Sequence, residues 1–336
     1  MPLSANTAAP SAKTGPNAVA DAATFSRPAG FLGAIYTVVA FFLEEGINAW
    51  VHLTGKRIRS GDQPWLDAPL GEKGRIGTAI YERIAEAEHL ESRVPSNAGL
   101  IPDFNALRGP SFDPSAIHPA IRHFYEHAAQ YHLDVWTEVS LTGRFFLWLL
   151  VEFISRRMDQ LNFPISSLEV SRGMSSQIVQ LIDPQSNTIK YTGWLRRLKS
   201  SGHVIYAGLY STVRVPGEEN PCVKVTFPCR GTANVYLSPV QHSDGSFGLD
   251  SSGSAFGRSG FYRMIASGPD FRRVRYVKTL HELFHVYVDA EGVLRTDHKV
   301  SFLGITIIRL HYKMTPLPAQ PASSERTHEL ISASTK

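Results

Sequence analysis

The amino-acid sequence predicts an α+β chain: an N-terminal helical segment followed by an antiparallel β-barrel-like or strongly curved sheet domain, with one helix inserted near residues 272–286. Three observations carry that expectation. Before Pro164, apolar residues recur at helical intervals. After Pro164 the texture turns alternating, β-branched and aromatic, divided by turn residues. Val274, Val277, Leu280, Phe284 and Val288 fall on one side of a helix, which makes Arg272 to Tyr287 read as helical.

Residues 1–28 are rich in Ala, Ser, Thr, Asn and Pro and read as a disordered tail. A mainly helical region, 29–164, follows. It starts with the apolar run Phe31 to Leu43, after which Glu44 and Glu45 come at once and Ile47, Trp50 and Val51 continue the helical pattern. The uncharged stretch from Pro28 to Leu43 falls short of the roughly 20 residues a membrane-spanning helix needs. Tyr81 to Arg93 is strongly helix-forming. Pro95, Pro102, Pro110 and Pro114 make 94–116 an extended connection. Pro119 suits a first helical turn, with Ile121, Phe124, Ala128 and Tyr131 on the apolar face. A second apolar run, Phe145 to Val151, ends at Arg156-Arg157. The two runs pair as a buried hairpin or, as the alternative, lie in a membrane interface with Trp50 and Trp148 at its rim.

Residues 165–315 read as the antiparallel β-rich domain. Strand-like stretches run over Ser176–Ile182, Thr188–Leu198, His203–Val215, Cys222–Phe227 and Thr232–Val240. Asp289-Ala290-Glu291-Gly292 is a turn before Val293–Phe302, and Ile305 to Met314 supply a last amphipathic strand. Residues 316–336 are a second polar tail.

Hydrophobic residues make up 43% and charged residues 19%, which excludes wholesale disorder. The net charge of +4 is dispersed; its densest group is Arg272, Arg273, Arg275 and Lys278, and nucleic-acid binding is not expected. Cys222 and Cys229 read as ordinary thiols in a reducing compartment. The first residues lack the basic start and apolar core of a secretory signal. The expected location is therefore cytoplasmic, with peripheral membrane contact as the alternative and no transmembrane span.

His281-Glu282-Leu283-Phe284-His285 points most directly at a chemistry. On a helix, the two histidines lie one turn apart and can both bind zinc, with Glu282 as general base beside a metal-bound water. The string resembles the motif of the zincin metallopeptidases, and that resemblance implies a zinc hydrolase with His281 and His285 as ligands and Glu282 as the catalytic residue. Asp297 and His298 are candidate further ligands beyond the hairpin turn. Two other strings have metal-like spacing. His123-Phe124-Tyr125-Glu126-His127 has the order of the inverted zincin motif, and Glu86 with His89 repeats the spacing of Glu282 with His285. No glycine-rich phosphate loop occurs.

The leading functional expectation comes from architecture. Trp194, Tyr206, Tyr210 and Phe261 are placed to line an apolar cavity, with Arg172 at its rim to meet an anionic head group. The barrel then holds an apolar small molecule or lipid, with cofactor-free conversion as an extension. No cofactor is expected on that reading, and zinc on the hydrolase alternative. The third alternative is an interaction protein that docks on a membrane or partner through its apolar helices.

Overall fold

Alternation with a period of two, rather than helical periodicity, organises most of this chain. The computed structural model describes residues 31–71, 77, 79–140, 143, 173–199, 202 and 204–318. Strands take 49% and helices 18%, so the fold is mostly β and the α+β expectation is corrected. Among the described residues, 14 strands form an open sheet, which also overturns a closed barrel. The apolar run 145–151, Arg172, the N-terminal tail and residues 319–336 lie outside the described residues, while Pro316 of the expected C-terminal tail belongs to the last strand.

The described residues begin with helix α1 (Phe31–Thr54), strand β1 (Lys56–Arg59), helix α2 (Ile80–Ala87) and strand β2 (Glu91–Arg93). Helix α3 (Pro119–Glu126) and strand β3 (Tyr131–Val139) follow. Then come β4 (Met174–Asp183), β5 (Thr188–Leu198), β6 (Val204–Val213), β7 (Cys222–Cys229) and β8 (Gly231–Gln241). The remainder is β9 (Phe247–Asp250), β10 (Gly260–Ala266), β11 (Phe271–Val277), β12 (Leu280–Val288), β13 (Leu294–Phe302) and β14 (Ile305–Pro316). The Tyr81–Arg93 expectation therefore splits into helix and strand, with His89 at φ 55° as the break.

Strands run β2-β4-β5-β6-β7-β8-β9-β12-β13-β14-β3 along the main path, and every named pair is antiparallel. The sheet forks at β8. Its first half pairs with β10 (Tyr236 opposite Gly260) and its second with β9 (Ser238 opposite Asp250). The branch continues through β11 to β1.

The helix expected near 272–286 is absent: those residues belong to β11 and β12. The physical reason is partnership. Strand β12 is hydrogen-bonded to β9 on one side and β13 on the other, so both rows of its backbone groups are satisfied. Its β-branched and aromatic residues Phe284, Val286, Tyr287 and Val288 suit a pleated surface.

The sheet is covered on both faces along β7 and the middle of β5 and β8. Tyr81 of α2 seats its ring against Gly193 of β5, where an added Cβ would lie 2.5 Å from a ring carbon. Beyond the fork, Trp65, Tyr236 and Tyr262 pack edge to face with centroids 5.1–5.4 Å apart. Such ring pairs contribute about 0.5–1.5 kcal/mol each beyond burial. Helix α1 lies on β10 and β11, and its Glu45 carboxylate pairs with Arg230.

Candidate functional site: an apolar cavity inside the curved sheet

Because side chains alternate across a strand, one parity of each strand faces the interior of the curve. Trp194 and Arg196 of β5 share that parity with Tyr206 and Tyr210 of β6; Arg196 stands opposite Tyr206. On the far side, Glu282 and Phe284 of β12 pair with Val300 and His298 of β13. These residues, with Phe227, Phe261, Tyr312 and the α3 residues Phe124 and Tyr125, surround a cavity of about 430 Å³. Residues from both halves of the sheet thus face one space, although among the described residues its end strands β2 and β3 are not paired with each other.

The wall is largely apolar, and its polar groups are few and specific. Tyr206 and Tyr210 share a hydroxyl–hydroxyl hydrogen bond of 2.7 Å. Burial pushes both phenols, and that of Tyr312, above the ordinary tyrosine range, so all three stay protonated. Trp194 Nε1 donates to Ser176 Oγ at 2.7 Å. Arg196 is 5% exposed. Its guanidinium lies 5.1 Å from the Trp194 ring centroid and 5.2 Å from that of Tyr312, and Nη2 reaches Met174 Sδ at 3.6 Å. The Arg196 charge also pulls against the rise in the Tyr312 phenol. His298 stacks on Phe284 at 3.8 Å, and its Nε2 faces Glu282 Oε2 at 3.6 Å. That distance is an ion-pair approach rather than a hydrogen bond. His298 Nε2 is buried and, among the described residues, without a hydrogen-bond partner.

The sequence-derived residues separate by parity. Trp194, Tyr206, Tyr210 and Phe261 stand on the cavity wall. Glu282 and His298 do so as well, but His281 and His285 occupy the opposite face of β12. There His281 Nδ1 lies 3.4 Å from Ser251 O, and His285 Nε2 lies 3.0 Å from Ser246 Oγ. Four residues of extended chain separate the two histidines by about 13 Å at ~3.3 Å per residue, too far to share an ion. Among the described residues, no group of three or more His, Cys, Asp or Glu side chains could hold a metal. In the inverted string, Glu126 Oε1 accepts the Phe104 backbone N–H at 2.9 Å, while His127 Nδ1 meets Asn97 O at 3.0 Å.

Sequence reasoning missed Arg196 and Tyr312. A signal for Arg196 exists: it is a charged residue in phase with the inward positions Trp194 and Leu198.

No protein-family profile matches the chain, and neither does any solved structure. The chain is similar to the uncharacterized membrane protein YndJ of Bacillus subtilis (strain 168), 25% identical over 220 residues. That stretch is 65% of this chain and 38% of the relative, so the similarity spans well under half of the longer protein.

Proposed function

We propose that the curved sheet binds an apolar small molecule or lipid in its interior cavity. The supporting observation is the cavity itself: about 430 Å³, walled by aromatic and aliphatic side chains with a handful of convergent polar groups. Its size is roughly three times the ~150 Å³ space that admits benzene, which suits a ligand of some 18 carbon-sized atoms, to order of magnitude. Native mass spectrometry of gently purified protein tests the reading through a co-purifying apolar mass. A neutral apolar fluorophore, N-phenyl-1-naphthylamine, gives a second readout. Ala233→Phe, which fills the wall, should abolish its uptake. A protein that carries no ligand and takes up no probe would sink the reading.

A separate observation favours membrane docking as a second reading. Phe41, Phe42 and Leu53 of α1 are 53%, 67% and 80% exposed. Beside α1 lie Lys56, Arg57 and Arg59 of β1, which pairs with the arginine-bearing β11. Exposed apolar side chains on a helix that leads at its C-terminal end into a basic strand suit an anionic lipid surface. No described helix is long and apolar enough to cross a membrane. Flotation with anionic vesicles, lost on Phe41→Ser/Phe42→Ser, checks this reading; equal flotation of both proteins counts against it.

A further inference from the structure

We propose that the cavity selects an amphiphile with a single anionic head group, a chain carboxylate, and that Arg196 holds that head group. The inference rests on the cavity-binding reading above and deepens it.

Arg196 carries a permanent charge, is 5% exposed and stands on the cavity wall. A buried charge is costly unless paired with an opposite charge and fully hydrogen-bonded. Among the described residues, no carboxylate lies within ion-pair distance of this guanidinium. What surrounds it instead is two aromatic faces, the Tyr312 hydroxyl and a thioether sulfur, which is a weak acceptor. None of these partners carries a negative charge, so among the described residues the guanidinium charge has no counter-ion, and its planar fork of donors suits a bidentate oxyanion.

The neighbouring groups fit the same chemistry. The Tyr206–Tyr210 hydroxyl pair stands beside Arg196 on the next strand. A carboxylate on the guanidinium could accept from such a hydroxyl as well. A smaller void walled by Arg196, Tyr206 and Tyr312 adjoins the main cavity, so the guanidinium sits at the cavity's edge rather than in its middle. The other charged group facing this space is Glu282, already approached by His298. A negative head group is drawn to Arg196, the positive group of the wall, which sets one orientation for the ligand. The apolar remainder of the wall then takes the hydrocarbon.

The test compares dodecanoic acid with 1-dodecanol, each displacing N-phenyl-1-naphthylamine from the full chain at neutral pH. In the wild type the acid should bind about tenfold or more tighter, as expected for a charge-assisted contact in a dry site. Arg196→Met should erase that preference and leave the alcohol within about twofold, whereas Arg196→Lys keeps part of it. Equal affinity of acid and alcohol in the wild type overturns the proposal without any variant needing to fold. So does a folded Arg196→Met protein that keeps the acid preference. Failure of the wild type to bind probe, acid or alcohol overturns the cavity reading itself, and is thereby distinguished from failure of the head-group assignment.

Discussion

Strands β7 and β12 belong to one sheet but live in different solvents. Every residue of β7 is buried, because the cavity-side core covers one face and the Trp65–Tyr236–Tyr262 cluster covers the other. In β12 only Val286 is fully buried, and the outward residues of the strand meet loops and water. Where both faces are covered, a polar residue goes inside whatever its parity. Lys224 is the example: its Nζ bonds to Trp65 O at 3.2 Å and to Asp67 O, and burial lowers its pKa to about 7. Where one face is covered, parity alone decides, and it sends Glu282 inward and His281 and His285 outward.

The contrast breaks most easily through large-to-small changes. Tyr236→Ala, in the doubly covered half, should cost about 3–5 kcal/mol in urea unfolding, or prevent folding outright. Tyr287→Ala, on the outward face of β12, should cost about 1 kcal/mol or less. Equal costs would mean the two strands are not differently housed.

Lys224 sharpens the same contrast through pH. Its pKa falls from 10.5, the ordinary lysine value, to about 7 in the fold. Above pH 7 the unfolded chain therefore holds a proton that the folded chain has released, so stability from this group rises with pH through that window. Below the folded value the buried charge carries its full penalty. At ~1.4 kcal/mol per unit, the rise between pH 7 and about 9.5 is on the order of 3 kcal/mol. Unfolding free energies at both ends should show that rise in the wild type and lose it in Lys224→Met. Identical slopes in the two proteins would refute the assignment. Higher pH is avoided because the buried phenols begin to oppose the trend: their raised values give stability that is lost as pH climbs past 10.

Parity also explains what was legible beforehand. The strands between Ser176 and Val240 declare themselves by β-branched and aromatic runs bounded by turns, and the cavity aromatics Trp194, Tyr206 and Tyr210 follow from their phase. Residues 272–288 did not declare themselves, because Val274, Val277, Leu280, Phe284 and Val288 fit a helical stripe while Leu280, Glu282, Phe284, Val286 and Val288 fit an alternation. Local pattern cannot choose between them. The choice is made by β9 and β13, distant in sequence, which supply backbone partners on both sides. Arg196 was missed for a related reason: a charge amid apolar inward positions reads as an error of phase until the cavity behind it is seen. Likewise the sheet's failure to close depends on its edges β2 and β3, which come from the segment expected to be mainly helical.

Gly193 gives the next effect down. Gly193→Ala places a methyl 2.5 Å from the Tyr81 ring, so α2 must shift or the ring must turn. A cost of about 1–3 kcal/mol follows from overpacking. Tyr81→Leu should relieve part of it, and strictly additive costs for the pair would show that the two residues do not press on one another.

The smallest effect is expected at the string that looked most like chemistry. With His281 and His285 on the outer face of β12, about 13 Å apart by the rise of extended chain, neither can complete the other's coordination. His281→Ala/His285→Ala should therefore change stability by about 1 kcal/mol or less, the loss of part-buried contacts to Ser251 O and Ser246 Oγ. Zinc content measured on purified protein should be the same with and without the two imidazoles. About one zinc per chain, lost in the double variant, would mean that 281–285 leave the sheet for a helix. Strand β12 would then no longer bring Glu282 to the cavity wall. The cheapest measurement on the weakest effect thus bears on the far wall of the cavity as well as on the motif.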